Sequence, residues 1–160
     1  MTVSGKIFLA LSVLLVTACA SPSEPNISLA PFDPEQAVTA QLPAQDLQPG
    51  GCGLFLWGTG NGRPLQFFQH AKTGKVDMPF RPGAKITRLS ADELIVEGFF
   101  ARQSFQMDEL HVDVDLRAGE GRNVLRGIPI SAGQIGFTEP SGRQTYLSVI
   151  GLFGCRNRQP

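Results

Sequence analysis

His111, Asp113 and Asp115 alternate with valine in the run His-Val-Asp-Val-Asp. An imidazole and two carboxylates are groups that bind metal ions or move protons. A metal needs several donors converging on one point. Alternate residues of a strand stand roughly 7 Å apart on one face. Without donors from a second strand, the trio forms a solvated strand face, and no metal site is expected from it. The carboxylates as an acid–base pair would need burial or a partner that separates their proton affinities. The sequence supplies neither.

Other reactive patterns end the same way. Gly58 to Gly62, "GTGNG", superficially looks like a phosphate loop, but no helix start follows it to hold an anion. It reads as a glycine-rich hairpin between two strands. His70 follows "QFFQ" and reads as a strand-end residue. There is no Gly-x-Ser-x-Gly, no Walker lysine and no Cys–His nucleophile pair. No catalytic residue, cofactor or metal is therefore expected, and the chain reads as a non-enzymatic one. The most suggestive loop is Glu139 to Tyr146, "EPSGRQTY", a turn with Ser141, Gly142 and Arg143 at its tip. Arg143 is the residue most able to pair with an acidic partner.

The elements that position these residues are short. With 18 glycines and 12 prolines in 160 residues, the chain is rich in turns. From Gly50 onward, apolar runs alternate with turn signals: "CGLFLW", "PLQFFQH", "VDMPF", "KITRLS", "LIVEGFFARQSFQM", "LHVDVDLR", "VLRGIPISAGQIGF" and "QTYLSVIGLFGC". That makes about eight strands at the spacing of an all-β barrel or sandwich. The clearest is Leu110 to Arg117, where apolar and polar residues alternate strictly, so one face is buried and one is wet. Between Ile130 and Phe137 the apolar phase slips at Ala132 and Gly133, which predicts a bulge. Gly98 predicts a bend within the long aromatic run. Ala91 to Glu93 separates the fourth run from the fifth.

Charge excludes one class of partner. The net charge is zero. Residues 50–160 carry 13 Lys and Arg against 10 Asp and Glu, and residues 20–49 carry four acids and no base. Neither imbalance suits nucleic acid.

The N-terminus differs in texture. Lys6 precedes an apolar run of ten, Ile7 to Val16, and Thr17 and Ala18 lead to Cys19. A membrane-spanning helix needs about 20 apolar residues, so this run is too short to span. Val16-Thr17-Ala18-Cys19 resembles the lipobox of bacterial lipoproteins. The resemblance covers residues 1–19. It implies that residues 1–18 are a signal peptide removed before Cys19. It further implies a diacylglyceryl thioether on the Cys19 sulfur and an acyl chain such as palmitate on its amine. Each buried methylene contributes about 0.8 kcal/mol, and two or more chains hold a protein stably on a membrane. Ala20, where an Asp would retain the protein at the inner membrane, implies delivery to the outer membrane with the domain facing the periplasm.

Residues 19–49 carry prolines at 22, 25, 31, 34, 43 and 49 and read as a flexible tether. Within it, "DPEQAVTAQL" is compatible with a short helix capped by Asp33 with Pro34 at its first position. Residues 50–160 form the all-β domain. Cys52 and Cys155 open its first strand and close its last. In an oxidising periplasm their pairing is expected, and the bridge would set the two terminal strands side by side.

Ser141-Gly142 and Tyr146 also resemble, with one residue too many between them, the Ser-Gly-x-x-Tyr signature of membrane-bound inhibitors of c-type lysozyme. Those are small disulfide-bearing β-barrel lipoproteins that push a serine and a basic group into an acidic active site. Three activities follow as expectations. The first is binding of a protein or envelope component through the β domain. The others are inhibition of lysozyme and holding of a small hydrophobic ligand inside a barrel.

Overall fold

The computed structural model describes residues 32–81, 83–96, 98–120 and 127–157. The expected export signal, residues 1–18, and Cys19 lie outside the described residues. So does the start of the seventh apolar run, Val124 to Arg126. Eight strands follow one short helix: α1 (Pro34–Thr39), β1 (Cys52–Gly58), β2 (Leu65–His70), β3 (Val76–Asp77), β4 (Ile86–Val96), β5 (Phe99–Met107), β6 (Leu110–Ala118), β7 (Gly127–Thr138) and β8 (Gln144–Cys155).

All neighbouring strands pair antiparallel in one sheet, in the order β3-β2-β1-β8-β7-β6-β5-β4. The sheet rolls into a nearly closed barrel, so the two-sheet alternative does not apply. The first and last strands are neighbours, with Cys52 opposite Cys155 in register and joined by a disulfide. The opening lies elsewhere, between β3 and β4. β3 is only two residues long, and Pro79, which follows it closely, has no amide hydrogen to extend a ladder.

Period-two alternation fills the interior. β6 shows it most cleanly: Leu110, Val112, Val114 and Leu116 are buried, while Asp113, Asp115 and Arg117 are exposed. Phe67, Phe99, Phe105 and Phe137 are among the largest fully buried side chains. Fully burying each contributes roughly 1.5–3 kcal/mol. The slip at Ala132 and Gly133 is a register shift between β7 and β8. Gly98, at φ +81°, turns the chain between β4 and β5, so the long aromatic run is a hairpin. Ala91 to Glu93, expected as a break, lies inside β4. That strand stays paired with β5 through two irregularities, and Glu93 takes φ +60°.

The segment expected as a tether requires correction from residue 32 onward. The compact unit begins at Phe32, not at Gly50. Asp33 caps α1 by accepting a hydrogen bond from the Glu35 amide at 3.0 Å, with Pro34 next in line. Phe32 packs against Phe80 and Phe137 at one end of the barrel, and Ala37 of α1 is fully buried in the same core. The chain then crosses β2, where Leu42 and Leu47 pack with Leu65 and Phe68. It ends beside the last strand, where the Gly50 amide donates to the Arg156 carbonyl at 2.9 Å. The prolines set the extended path, and apolar burial holds it in place.

Candidate functional site

An antiparallel meander sends alternate connections to opposite ends. The β1–β2, β3–β4, β5–β6 and β7–β8 connections therefore share one end of the barrel, the end that Phe32 reaches. The disulfide and the β2–β3 turn lie toward the other.

The expected tip, Ser141, Gly142 and Arg143, is the β7–β8 turn of this end. The Glu139 amide donates to the Arg143 carbonyl at 2.9 Å, and the Gly142 amide donates to the Glu139 carbonyl at 2.8 Å. Gly142 sits at φ +84°, a conformation that favours glycine. Ser141 Oγ accepts from the Arg143 amide at 3.3 Å. The Arg143 side chain folds back. Its Nε donates to Glu139 Oε1, and its Nη2 donates to the Phe32 carbonyl at 3.3 Å. The hydrogen bond and charge of Glu139 hold the Arg143 guanidinium above its usual pKa. The arginine that the sequence offers as a free recognition cation is thus tied to its own turn and to the domain's first residue.

His111 and Asp113 do meet, although they are alternate residues of one strand. His111 Nε2 lies 3.2 Å from Asp113 Oδ1, which also accepts from Ser104 Oγ at 2.7 Å. Both partners are substantially exposed. No group of three or more metal-ligating side chains converges among the described residues. His70 lines a cleft beside the disulfide, and its buried Nδ1 has no hydrogen-bond partner among the described residues.

A second cleft opens at the loop end, with a volume of about 590 Å³. α1 contributes Thr39, the β1–β2 loop contributes Thr59 and Asn61, and β8 contributes Tyr146 and Ser148. Its wall includes Gln66, the extra residue of a bulge between β1 and β2: Leu56 pairs with Phe67, and Trp57 pairs with Leu65. Bulges re-aim side chains. Here the amide turns toward the C-terminal end of α1, donating from Nε2 to the carbonyls of Val38 and Ala40, both at 3.0 Å. Gln66 Oε1 is buried and accepts no hydrogen bond among the described residues.

Tyr146 is the chain's one tyrosine and is 55% exposed. Its ring lies over Gly136 of β7, where an added Cβ would come within 3.0 Å of the ring. Its hydroxyl donates to Gln144 Oε1 at 2.7 Å. The ring is therefore held in place while remaining open to solvent.

Sequence reasoning missed Gln66. Its only signal was a glutamine beginning the apolar run "QFFQ". No family model, curated protein or solved structure matches this chain.

Proposed function

We propose that this chain is a lipid-anchored envelope protein whose β domain acts by binding and not by catalysis. One observation supports the reading most. The barrel interior is filled by its own side chains, while the loop end carries a cleft whose described lining is uncharged, part polar and part apolar, with an exposed, fixed tyrosine in it. Recognition then belongs to the outside of the barrel, where loops on a rigid scaffold carry function. The disulfide between the terminal strands suits an oxidising compartment and agrees with export to the periplasm. The lipobox at Cys19 supplies the anchor, and the partner is a protein or envelope component. Lysozyme inhibition would require Arg143 to leave Glu139 and the Phe32 carbonyl, so the binding reading is preferred. A ligand held inside the barrel would have to displace the packed phenylalanines.

Photo-crosslinking in the producing cell tests the proposal. A crosslinking amino acid at Ser141 or Tyr146 should yield adducts with an envelope component. The same probe at Lys72, in the turn at the opposite end, should not. Equal adducts from both ends, or none from the loop end, would overturn it.

A further inference from the structure

We infer that the cleft between α1, the β1–β2 loop and β8 binds a neutral saccharide. The inference deepens the binding reading and rests on it for the claim that the domain is a binder. It does not depend on the anchor.

Charge is the first consideration. Among the described residues that line this cleft, none is Asp, Glu, Lys, Arg or His. An anion or a cation would leave water for a site with no counter-charge, which is costly. The lining instead offers hydroxyls from Thr59 and Ser148 and amides from Gln41 and Asn61, while Thr39, whose hydroxyl donates to the Glu35 carbonyl, can only accept. These are short-range donors and acceptors suited to a ligand that carries many hydroxyl groups. An acyl chain would leave them unpaired.

The aromatic ring is the second. A pyranose is amphipathic, with C–H bonds on its faces and hydroxyls around its rim. It needs one exposed, immobile aromatic face and a surrounding set of polar groups. Tyr146 supplies that face, because Gly136 beneath it and Gln144 at its hydroxyl fix the ring before any ligand arrives. Pre-fixing the ring lowers the ordering cost of binding.

Gln66 is the third. Its relative exposure is 1%, its side-chain hydrogen bonds run from Nε2, and Oε1 has no donor among the described residues. A buried acceptor without a partner is unusual and calls for an explanation. A ligand hydroxyl, or a water held beneath a ligand, would complete the amide. The cleft volume lies within the roughly 300–1,000 Å³ of small-molecule sites. An extended peptide fits less well, because β1 and β8 are paired on both sides and offer no free edge here.

The test uses the purified full chain in a polyoxyethylene detergent, which carries no sugar headgroup. It is titrated calorimetrically with neutral oligosaccharides of glucose and of N-acetylglucosamine. Polygalacturonate and inorganic phosphate serve as charged controls. At least one neutral saccharide should bind, and the charged controls should not. Tyr146→Ala should weaken binding about tenfold, on the scale of one lost aromatic contact, while Tyr146→Phe, which keeps the ring over Gly136 but loses the bond to Gln144, should weaken it less. Gln66→Met should also weaken binding with an unchanged circular dichroism spectrum. No binding of any neutral saccharide at millimolar concentration would overturn the inference. So would binding indifferent to Tyr146→Ala, or binding of the charged probes alone. If crosslinking in cells finds an envelope partner while these titrations are blank, the saccharide site falls and the binding reading stands. If both are blank, both fall.

Discussion

Gln69 and Gln103 hold each other inside the barrel. Gln69 Nε2 donates to Gln103 Oε1 at 3.1 Å, and Gln103 Nε2 donates back to Gln69 Oε1 at 3.0 Å. Both side chains are buried. They come from β2 and β5, each one strand in from the seam where β3 and β4 do not pair. The amide pair therefore bridges from within the gap that the backbone ladder leaves open. It also makes the closure specific, because an apolar contact would tolerate sliding and a reciprocal amide pair does not.

Breaking one half of that pair should be worse than removing both. Gln103→Leu leaves the Gln69 amide buried without its partner, at a cost of about 1–3 kcal/mol. The double variant Gln69→Leu/Gln103→Leu should recover much of that loss. Chemical denaturation of the two single variants and the double variant measures the coupling. Strictly additive losses would show that the pair does not act as a unit.

The disulfide should account for a large share of stability. It closes a separation of 103 residues between strands that already pair. Loops of about 100 residues give up to roughly 4.7 kcal/mol in the chain-entropy treatment. Cys52→Ala should therefore lower stability by about 2–5 kcal/mol. Peptide mapping without reductant should recover the linked pair, and free thiols at both positions would contradict the fold at its closure.

Arg143 fastens the domain's entry point, so Arg143→Ala should act first on Phe32. Hydrogen exchange should accelerate at the start of α1 and in the β7–β8 turn, with the middle of the barrel unchanged. Unchanged exchange near Phe32 would mean that this contact does not hold the segment.

Much of the barrel was legible because strands leave a period-two signature. Leu110 to Arg117 declared both its conformation and its buried face, and the phase slip at Ala132 and Gly133 located a bulge. Cys52 and Cys155 marked the terminal strands as neighbours. In the covering segment the helix start at Asp33 and Pro34 was legible, but its burial on the barrel was not. Phe32, Ala37, Leu42 and Leu47, all buried, recur at every fifth position, a spacing that belongs neither to a strand nor to a helix. β4 was misread because it is an edge strand with a largely exposed surface. The acids at its middle, Asp92 and Glu93, read as a turn in the sequence, but Glu93 pairs across the ladder with Arg102 of β5 at 3.2 Å. The polar partnerships were hidden for another reason. Gln69 and Gln103 are 34 positions apart, and only the rolled sheet brings them together.

Gly151 is a position where the barrel admits no side chain. An added Cβ would approach the Phe55 carbonyl oxygen within 2.4 Å and Leu56 Cδ2 within 2.6 Å. The first of these is backbone and cannot swing aside. Gly151→Ala should destabilise the domain by about 1–3 kcal/mol, the usual cost of overpacking. A melting temperature equal to the parent's would show that β1 and β8 are less closely packed than described.

The proposed lipid anchor at Cys19 is tested most directly by metabolic labelling. Cells producing the full chain or its Cys19→Ser variant are fed an alkyne palmitate, and the protein is captured and read for label. Label is expected on the parent chain and none on the variant. Equal label on both, or none on either, would contradict a lipid-anchored protein.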